Sequence, residues 1–444
     1  MAIHPIDFRY GRAEVQDLFT EEAKLQYMLE VEAALAQAQA KVGDIPKKAA
    51  GEISKKANTK IVKLKRVKAI EDVIHHDIMA VVKALAEKCG PSGGFVHLGA
   101  TSNDIIDTST ALQLKDFMKI LESDLKKLKE VLLKQTKTHK KTVCIGRTHG
   151  QHAVPTTFGL KFAIWASEVE RHIQRVAEIK PRILVGQMTG AVGTQSALGP
   201  NAMRVQAETM RILGLNSVLV SNQVIQRDRL AEFLFELALI SASLDKFAIE
   251  IRNLQRTEIA EVAEGFKKKQ VGSSTMPHKR NPILAERISG LSRVVIANAS
   301  CGLKNIPLWH ERDLSNSSCE RVIIPESCIL SDYILNLSIN LLSNLVFNYE
   351  AIERNLNFSQ GRIMAESVMV KLVEEGLGRQ KAHALVRDCA MESFAKNRPM
   401  KEFLLKDKTI TKYLTEKQIE SALDPHKYIG TAEKQVEKAL RVLR

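Results

Sequence analysis

The chain has 444 residues, 45% hydrophobic and 26% charged, a balance that excludes a wholly disordered polypeptide. With only 23 Gly, 12 Pro and 5% aromatic residues, the composition favours long helices over a many-stranded sandwich. The net charge of +14 attracts anions, without deciding between nucleic acid, anionic lipid and small anionic substrates.

Residues 1–100 contain amphipathic helices and the glycine-rich stretch Gly90-Pro91-Ser92-Gly93-Gly94, and form a predicted small head domain. Residues 101–353 carry long helical stripes. Leu114, Met118, Leu121, Leu125, Leu128 and Leu132 step by fours and threes, as do Phe162, Ala166, Val169, Ile173 and Val176. The second stripe is expected to stop before Pro181. A third runs Leu230, Leu234, Leu237, Ile240, Leu244, Phe247, Ile251 and Leu254, and a further apolar stretch covers Ile329 to Val346. Facing stripes of this length predict a helix bundle. The helix from Phe233 is apolar on more than one face, which predicts packing between subunits. Residues 354–444 read as a charged helical tail broken at Gly376, Gly378 and Pro399. The expectation is an all-α protein in three pieces, 1–100, 101–353 and 354–444.

Cys89, Cys144, Cys301, Cys319, Cys328 and Cys389 include no CxxC pair, so reduced thiols in a cytoplasmic protein are expected. No charged segment followed by an apolar one opens the chain, so no signal peptide is visible. The most apolar window, Phe233 to Ile251, is interrupted by Glu236, Asp245, Lys246 and Glu250, and no membrane span is expected.

Four polar stretches interrupt the helices. In Gly272-Ser273-Ser274-Thr275-Met276-Pro277-His278-Lys279-Arg280-Asn281-Pro282, hydroxyls and cations precede a helix N-terminus, a natural anion site; a plain basic surface loop has the same composition. In Gly146 to Thr156, a loop between helices, His149 and His152 suit acid/base work better than zinc, since no further ligands lie near; a structural pair is the alternative. Val96 to Asp104 presents hydroxyls ahead of the first long helix, where they suit capping and carboxylate binding alike. Trp309 to Arg321 carries Arg312, Ser317 and Arg321, suited to bidentate recognition of phosphate or carboxylate unless it is simply a solvated charged face.

Together the four stretches resemble the fumarase/aspartase superfamily of all-α lyases. Residues 272–282 match its GSSxMPxKxNP signature at every fixed position. Arg9-Tyr10, His75-His76-Asp77, the TSxDxxDT stretch, the GRTHGxHAxPTTFG stretch and the HERDxSxSS-x-ER stretch resemble the branch of purine biosynthesis that acts on succinylated nucleotides. Asn103 and Thr275 are small departures, at positions not expected to take protons.

The resemblance implies a three-domain fold whose central helices assemble into a homotetramer with shared active sites. It implies β-elimination of fumarate from a succinylated adenine nucleotide, giving AMP, and from the succinylated carboxamide ribotide, giving AICAR. It implies no cofactor and no metal. By the same resemblance Ser273 is the general base and His149 the general acid, paired with Glu286. Lys279 and Asn281 hold the carboxylate that gathers charge. Thr101, Ser102, Thr148 and Ser274 hold the succinyl carboxylates. Arg9, Tyr10, Arg312, Ser317 and Arg321 hold phosphate and ribose. His75, His76, Asp77, Gln223 and Met276 complete the substrate contacts. The nearest rival, argininosuccinate lyase, shares the serine loop but should lack the arginines at 9, 312 and 321. A nucleic-acid-binding protein should cluster its basic residues among aromatics, and here they are spread through helices. A catalytically dead relative is disfavoured because Ser273 and His149 are both present.

Overall fold

The computed structural model describes residues 4–266, 275–276 and 278–443. Helix accounts for 70% and strand for 5%, in agreement with the all-α expectation. The elements that matter here are the helices α1 (Glu21–Val42), α2 (Leu64–Ile74), α3 (Asp77–Cys89), α4 (Ser102–Thr138), α5 (Phe158–Ile183), α6 (Asp228–Leu254), α7 (Ile283–Lys304) and α8 (Ser315–Ser343), with the strands β1 (Val143–Thr148) and β2 (Gln151–Thr157). The chain divides into two compact units: Met1–Lys126, His172–Asp245 and Ile288–Leu337 make one; Lys127–Arg171, Lys246–Arg287 and Ser338–Arg444 make the other.

In the first unit, α1 starts at Thr20, whose hydroxyl accepts the Ala23 N–H, and stops at Gly43, with φ 94°. Its buried face, including Leu29 and Leu35, packs with Ile78 and Leu85 of α3 and Ile105 of α4 in one apolar core. Each such side chain contributes roughly 1.5–3 kcal/mol by leaving water. The N-terminal segment is tied to α8 through Arg12. Its Nε donates to Asp332 at 2.8 Å, and one terminal nitrogen donates to Asp332 at 2.5 Å and Asp124 at 2.6 Å.

In the second unit, β1 and β2 pair antiparallel across a two-residue turn, His149-Gly150. Both turn residues have positive φ, 54° and 73°, which gives the twist a two-residue hairpin needs. This corrects the expected loop between helices. The alternation of β-branched residues in Val143-Cys144-Ile145 and Val154-Pro155-Thr156 outweighed the polar punctuation. A separate core of Val368, Leu372, Met400, Leu404, Ile410 and Ile419 holds the last helices.

The predicted stripe from Leu114 to Leu132 is buried throughout; the third, from Leu230 to Leu254, is buried from Leu234 on, with Leu230 only partly buried. Phe235, Leu239 and Ile249 of α6 and Val294, Ile296 and Leu303 of α7 are exposed apolar residues in the single chain. Two boundaries differ from expectation. α5 runs through Pro181 to Ile183, so the proline, which removes one ladder bond and crowds the carbonyl four residues back, ends the helix two residues after itself rather than before. α8 starts at Ser315, well before the apolar stretch, because the Asp313 carboxylate collects the Trp309 N–H, the Ser315 N–H and the Ser315 hydroxyl. Among the described residues α8, not the window at Phe233, is long and apolar enough to cross a bilayer; 61% of its apolar window is buried inside the fold, as for a core helix.

Candidate active site

The first unit gathers the nucleotide-directed candidates around α8. Arg312, in the loop before α8, donates to the Gln223 side-chain oxygen at 2.9 Å. Arg321, on α8, donates to Asp77 at 2.5 Å. Arg312, Ser317 and Arg321 line one cavity of about 140 Å³. Asp77 opens α3. Burial pushes its carboxyl up, but the Arg321 hydrogen bond, the Ile78 N–H and the Arg321 charge together hold it below the usual carboxylate range. His75 and His76 form the junction before it: His75 closes α2 with φ 51°, and His76 accepts the Met79 N–H at the start of α3. Both are exposed. Arg9 donates through Nε to the Tyr10 hydroxyl at 3.1 Å, and the Tyr10 ring lies 5.9 Å from that of Tyr333 on α8.

The segments that position Gln223 are anchored by two aspartates in the first turns of α4. Asp104 accepts the N–H groups of Thr101, Thr189 and Gly190. It is fully buried, and burial raises its carboxyl above the usual range despite these donors. Asp107 accepts the Ile225 N–H at 2.9 Å and pairs with buried Arg227 at 2.8 Å. Gln223 sits between these tethers, its own amide donating to the Ala191 carbonyl. Thr101 thus contributes a backbone N–H to a cap, and Ser102 is the first residue of α4.

The second unit presents the acid/base candidates. Thr148 and His149 lie at the exposed tip of the β1–β2 hairpin. The hairpin is rooted two residues earlier by Arg147, whose terminal nitrogens reach Glu261 at 2.5 and 3.3 Å. Asn355 donates to the same carboxylate at 2.9 Å. His152, one strand across from Arg147, is lowered by burial and by that cation. Met276 and Lys279 are exposed, Asn281 is partly buried, and Glu286 is exposed in the first turn of α7. The start of α7 is capped from afar: buried Glu264 accepts the Leu284 N–H at 3.1 Å and the Ala285 N–H at 2.7 Å. Gln255 ties the approach to α7, donating to the Arg280 carbonyl and accepting the Glu264 N–H.

Ser273 and Ser274 lie outside the described residues. The expected His149–Glu286 pair is not made within one chain: among the described residues neither side chain has a hydrogen-bond or ion-pair partner. Arg321 does not pair with its sequence neighbour Glu320. Its partner is Asp77, and Glu320 faces Arg227 instead. Asp104, Asp107, Glu261 and Glu264 were not among the predicted site residues. Only the two aspartates had a sequence signal, as part of the TSxDxxDT stretch. Among the described residues no group of three His, Cys, Asp or Glu is arranged to hold a metal ion.

Residues 8–297 match the family model described as Lyase. The fold covers 98% of both chains in the crystal structure of a fumarate lyase from Mesorhizobium sp. BNC1, with a TM-score of 0.91 and 32% identity. It covers 98% of both in 3-carboxy-cis,cis-muconate lactonizing enzyme from Pseudomonas putida, with a TM-score of 0.90 and 33% identity. The protein is therefore an all-α lyase of the fumarase/aspartase type. Residues 361–439 match the adenylosuccinate lyase C-terminus. The chain is 56% identical over 440 residues to adenylosuccinate lyase of Pyrococcus horikoshii, spanning 99% of this chain and 98% of that one. It is 52% identical over 446 residues to that of Methanocaldococcus jannaschii, at 100% and 96% coverage. The chain belongs to the adenylosuccinate lyase family.

Proposed function

We propose that this lyase eliminates fumarate from adenylosuccinate, leaving AMP, and from the succinylated carboxamide ribotide, leaving AICAR, with Ser273 as base and His149 as acid. The observation that carries this reading is the near full-length identity to adenylosuccinate lyases, which favours these substrates over argininosuccinate. Ser273 takes a proton from the carbon beside a succinyl carboxylate. The electron pair left on that carbon forms the fumarate double bond, and the C–N bonding pair departs with nitrogen, which His149 protonates. Negative charge gathers on the carboxylate before the bond breaks, so fixed cations and donors lower the barrier. Lys279 and Asn281, beside the start of α7, take that carboxylate; Thr101, Ser102, Thr148 and Ser274 take the succinyl oxygens. Arg9, Tyr10, Arg312, Ser317 and Arg321 take phosphate and ribose, with Gln223, His75, His76, Asp77 and Met276 around the substrate. No metal or organic cofactor enters this scheme.

The active form is a cytoplasmic homotetramer with sites shared between subunits, each chain built of three domains, 1–100, 101–353 and 354–444. Two features support sharing: the exposed apolar residues of α6 and α7, and the exposed His149, whose side chain has no hydrogen-bond or ion-pair partner among the described residues. Purified protein given adenylosuccinate should lose substrate absorbance and release fumarate in equal amounts. Absence of fumarate release from correctly assembled protein would remove the assignment. Mixing inactive Ser273→Ala with inactive His149→Ala protein should restore activity, because some mixed sites hold both intact residues. No recovery after confirmed subunit exchange would refute the shared site.

A further inference from the structure

Lys24 sits in the second turn of α1, and its side chain lines two neighbouring cavities. One is the cavity of Arg312, Ser317 and Arg321; the other is lined by Lys68, Asp77 and Arg321. Lys24 and Arg321 are the residues common to both. Each nearby carboxylate already holds another cation. Asp77 is taken by Arg321 at 2.5 Å, and Glu21 by Lys68 at 2.6 Å; Glu71 lies 3.4 Å from the same lysine. Inside the first cavity, Asp107 and Glu320 face Arg227 at 2.8 and 3.1 Å. The Lys24 ammonium makes no hydrogen bond or ion pair among the described residues, although its backbone N–H donates to the Thr20 carbonyl. Burial, and then the charges of Arg321 and Lys68, disfavour its ammonium form more than the nearby Asp77 and Glu21 carboxylates favour it. A half-buried cation whose neighbouring carboxylates are each paired with another cation, beside a second cation at a cavity, is stabilised by an anion that enters between them.

We propose that Lys24 is a further substrate-binding residue, gripping the nucleotide phosphate monoester beside Arg321. The proposal rests on the assignment of Arg312, Ser317 and Arg321 to the phosphate. Beside the arginine forks assigned to the phosphate, Lys24 supplies a compact point charge at the cavity it shares with Arg321.

The test uses full-length Lys24→Met, Lys24→Arg and Arg321→Lys proteins with adenylosuccinate and with its dephosphorylated nucleoside. Lys24→Met should raise KM for adenylosuccinate roughly ten- to a hundredfold, the usual loss for one charged hydrogen bond, with kcat little changed. It should leave KM for the nucleoside at the wild-type value, and Lys24→Arg should keep most of the affinity. If Lys24→Met fails to fold by circular dichroism, Lys24→Gln is read in the same way. Equal losses on both substrates would mark Lys24 as structural, and no loss on either would mark it as idle; each overturns the proposal. If Arg321→Lys distinguishes the two substrates while the Lys24 variants do not, only the role of Lys24 falls. If neither distinguishes them, the phosphate assignment falls with it.

Discussion

Arg147 offers the sharpest test of how the hairpin that carries His149 is held. Its side chain is 18% exposed and its partner Glu261 only 1%. Arg147→Met keeps the length of the stem and removes the fork, leaving a buried carboxylate with the Asn355 amide as its remaining side-chain donor among the described residues. Removing one partner of a buried ion pair costs about 3–5 kcal/mol, most of it the cost of the stranded charge. Glu261→Gln strands the guanidinium instead, but Arg147 retains some access to water, so a loss of about 1–3 kcal/mol is expected. In the double variant neither charge is stranded, so its loss should fall short of the sum by at least about 1 kcal/mol. The assay is denaturant unfolding of all four proteins at one subunit concentration, since assembly makes stability concentration-dependent. Turnover is followed in parallel: Arg147→Met should lower kcat more than it raises KM, because His149 lies two residues from the root. Strict additivity of the two losses would refute the coupling. A stable Arg147→Met enzyme with wild-type turnover would refute the anchoring role.

Asp104→Asn keeps the shape of the side chain but offers one carbonyl oxygen where the carboxylate accepts at both, so a loss of about 1–3 kcal/mol is expected in denaturant unfolding. Because burial raises the Asp104 carboxyl above its unfolded value of 3.8, the folded state holds that proton more tightly; the wild-type advantage over Asp104→Asn should shrink as pH rises through the folded value, and a constant gap between pH 4 and 7 would contradict this. Asp77 behaves oppositely: its carboxyl is lowered, so its contribution is present above 3.8 and is lost as pH falls through the folded value. The Asp77–Arg321 pair is half exposed, so Asp77→Asn should cost under about 1 kcal/mol of stability yet raise KM for adenylosuccinate by loosening Arg321; unchanged KM would show that the pair does not position the arginine. Gly193 has φ 88°, and a Cβ there would come 2.1 Å from the Ser221 carbonyl oxygen, so Gly193→Ala should shift the Gln223 segment and lower the melting temperature; an unaltered melt would show that the segment gives way freely.

The parts of this fold legible in the sequence are those fixed by local periodicity. Leu114, Met118, Leu121, Leu125, Leu128 and Leu132 were predicted to face inward and are all buried. In the second stripe Ile173 is partly exposed and its neighbour His172 is buried, held by Glu236 at 3.0 Å and Ser243 at 2.8 Å. Periodicity ranks residues by polarity, so it cannot anticipate a buried polar side chain whose partners come from another helix. The hairpin was missed for a similar reason: His149 adopts a left-handed turn conformation more familiar from asparagine, and two strands of six and seven residues carry little signal beside helices four times as long.

The site follows the same division. The residues expected to touch substrate stand in short, polar, motif-rich stretches, where composition alone raises the question of function. The residues that hold those stretches in place do not. Glu264 caps α7 from some twenty residues upstream, Glu261 roots the hairpin from more than a hundred residues away, and Asp107 reaches Arg227 across 120 positions. Each is an acid buried to serve backbone N–H groups or one arginine, and each is costly to bury unless that partner is in place. Loops in a helical bundle have few backbone ladders to fix them, so remote carboxylates do that work. This explains why the acids among the supports are deeply buried, while His149, Lys279 and Arg321, which are proposed to meet an anionic substrate, stay exposed or partly so.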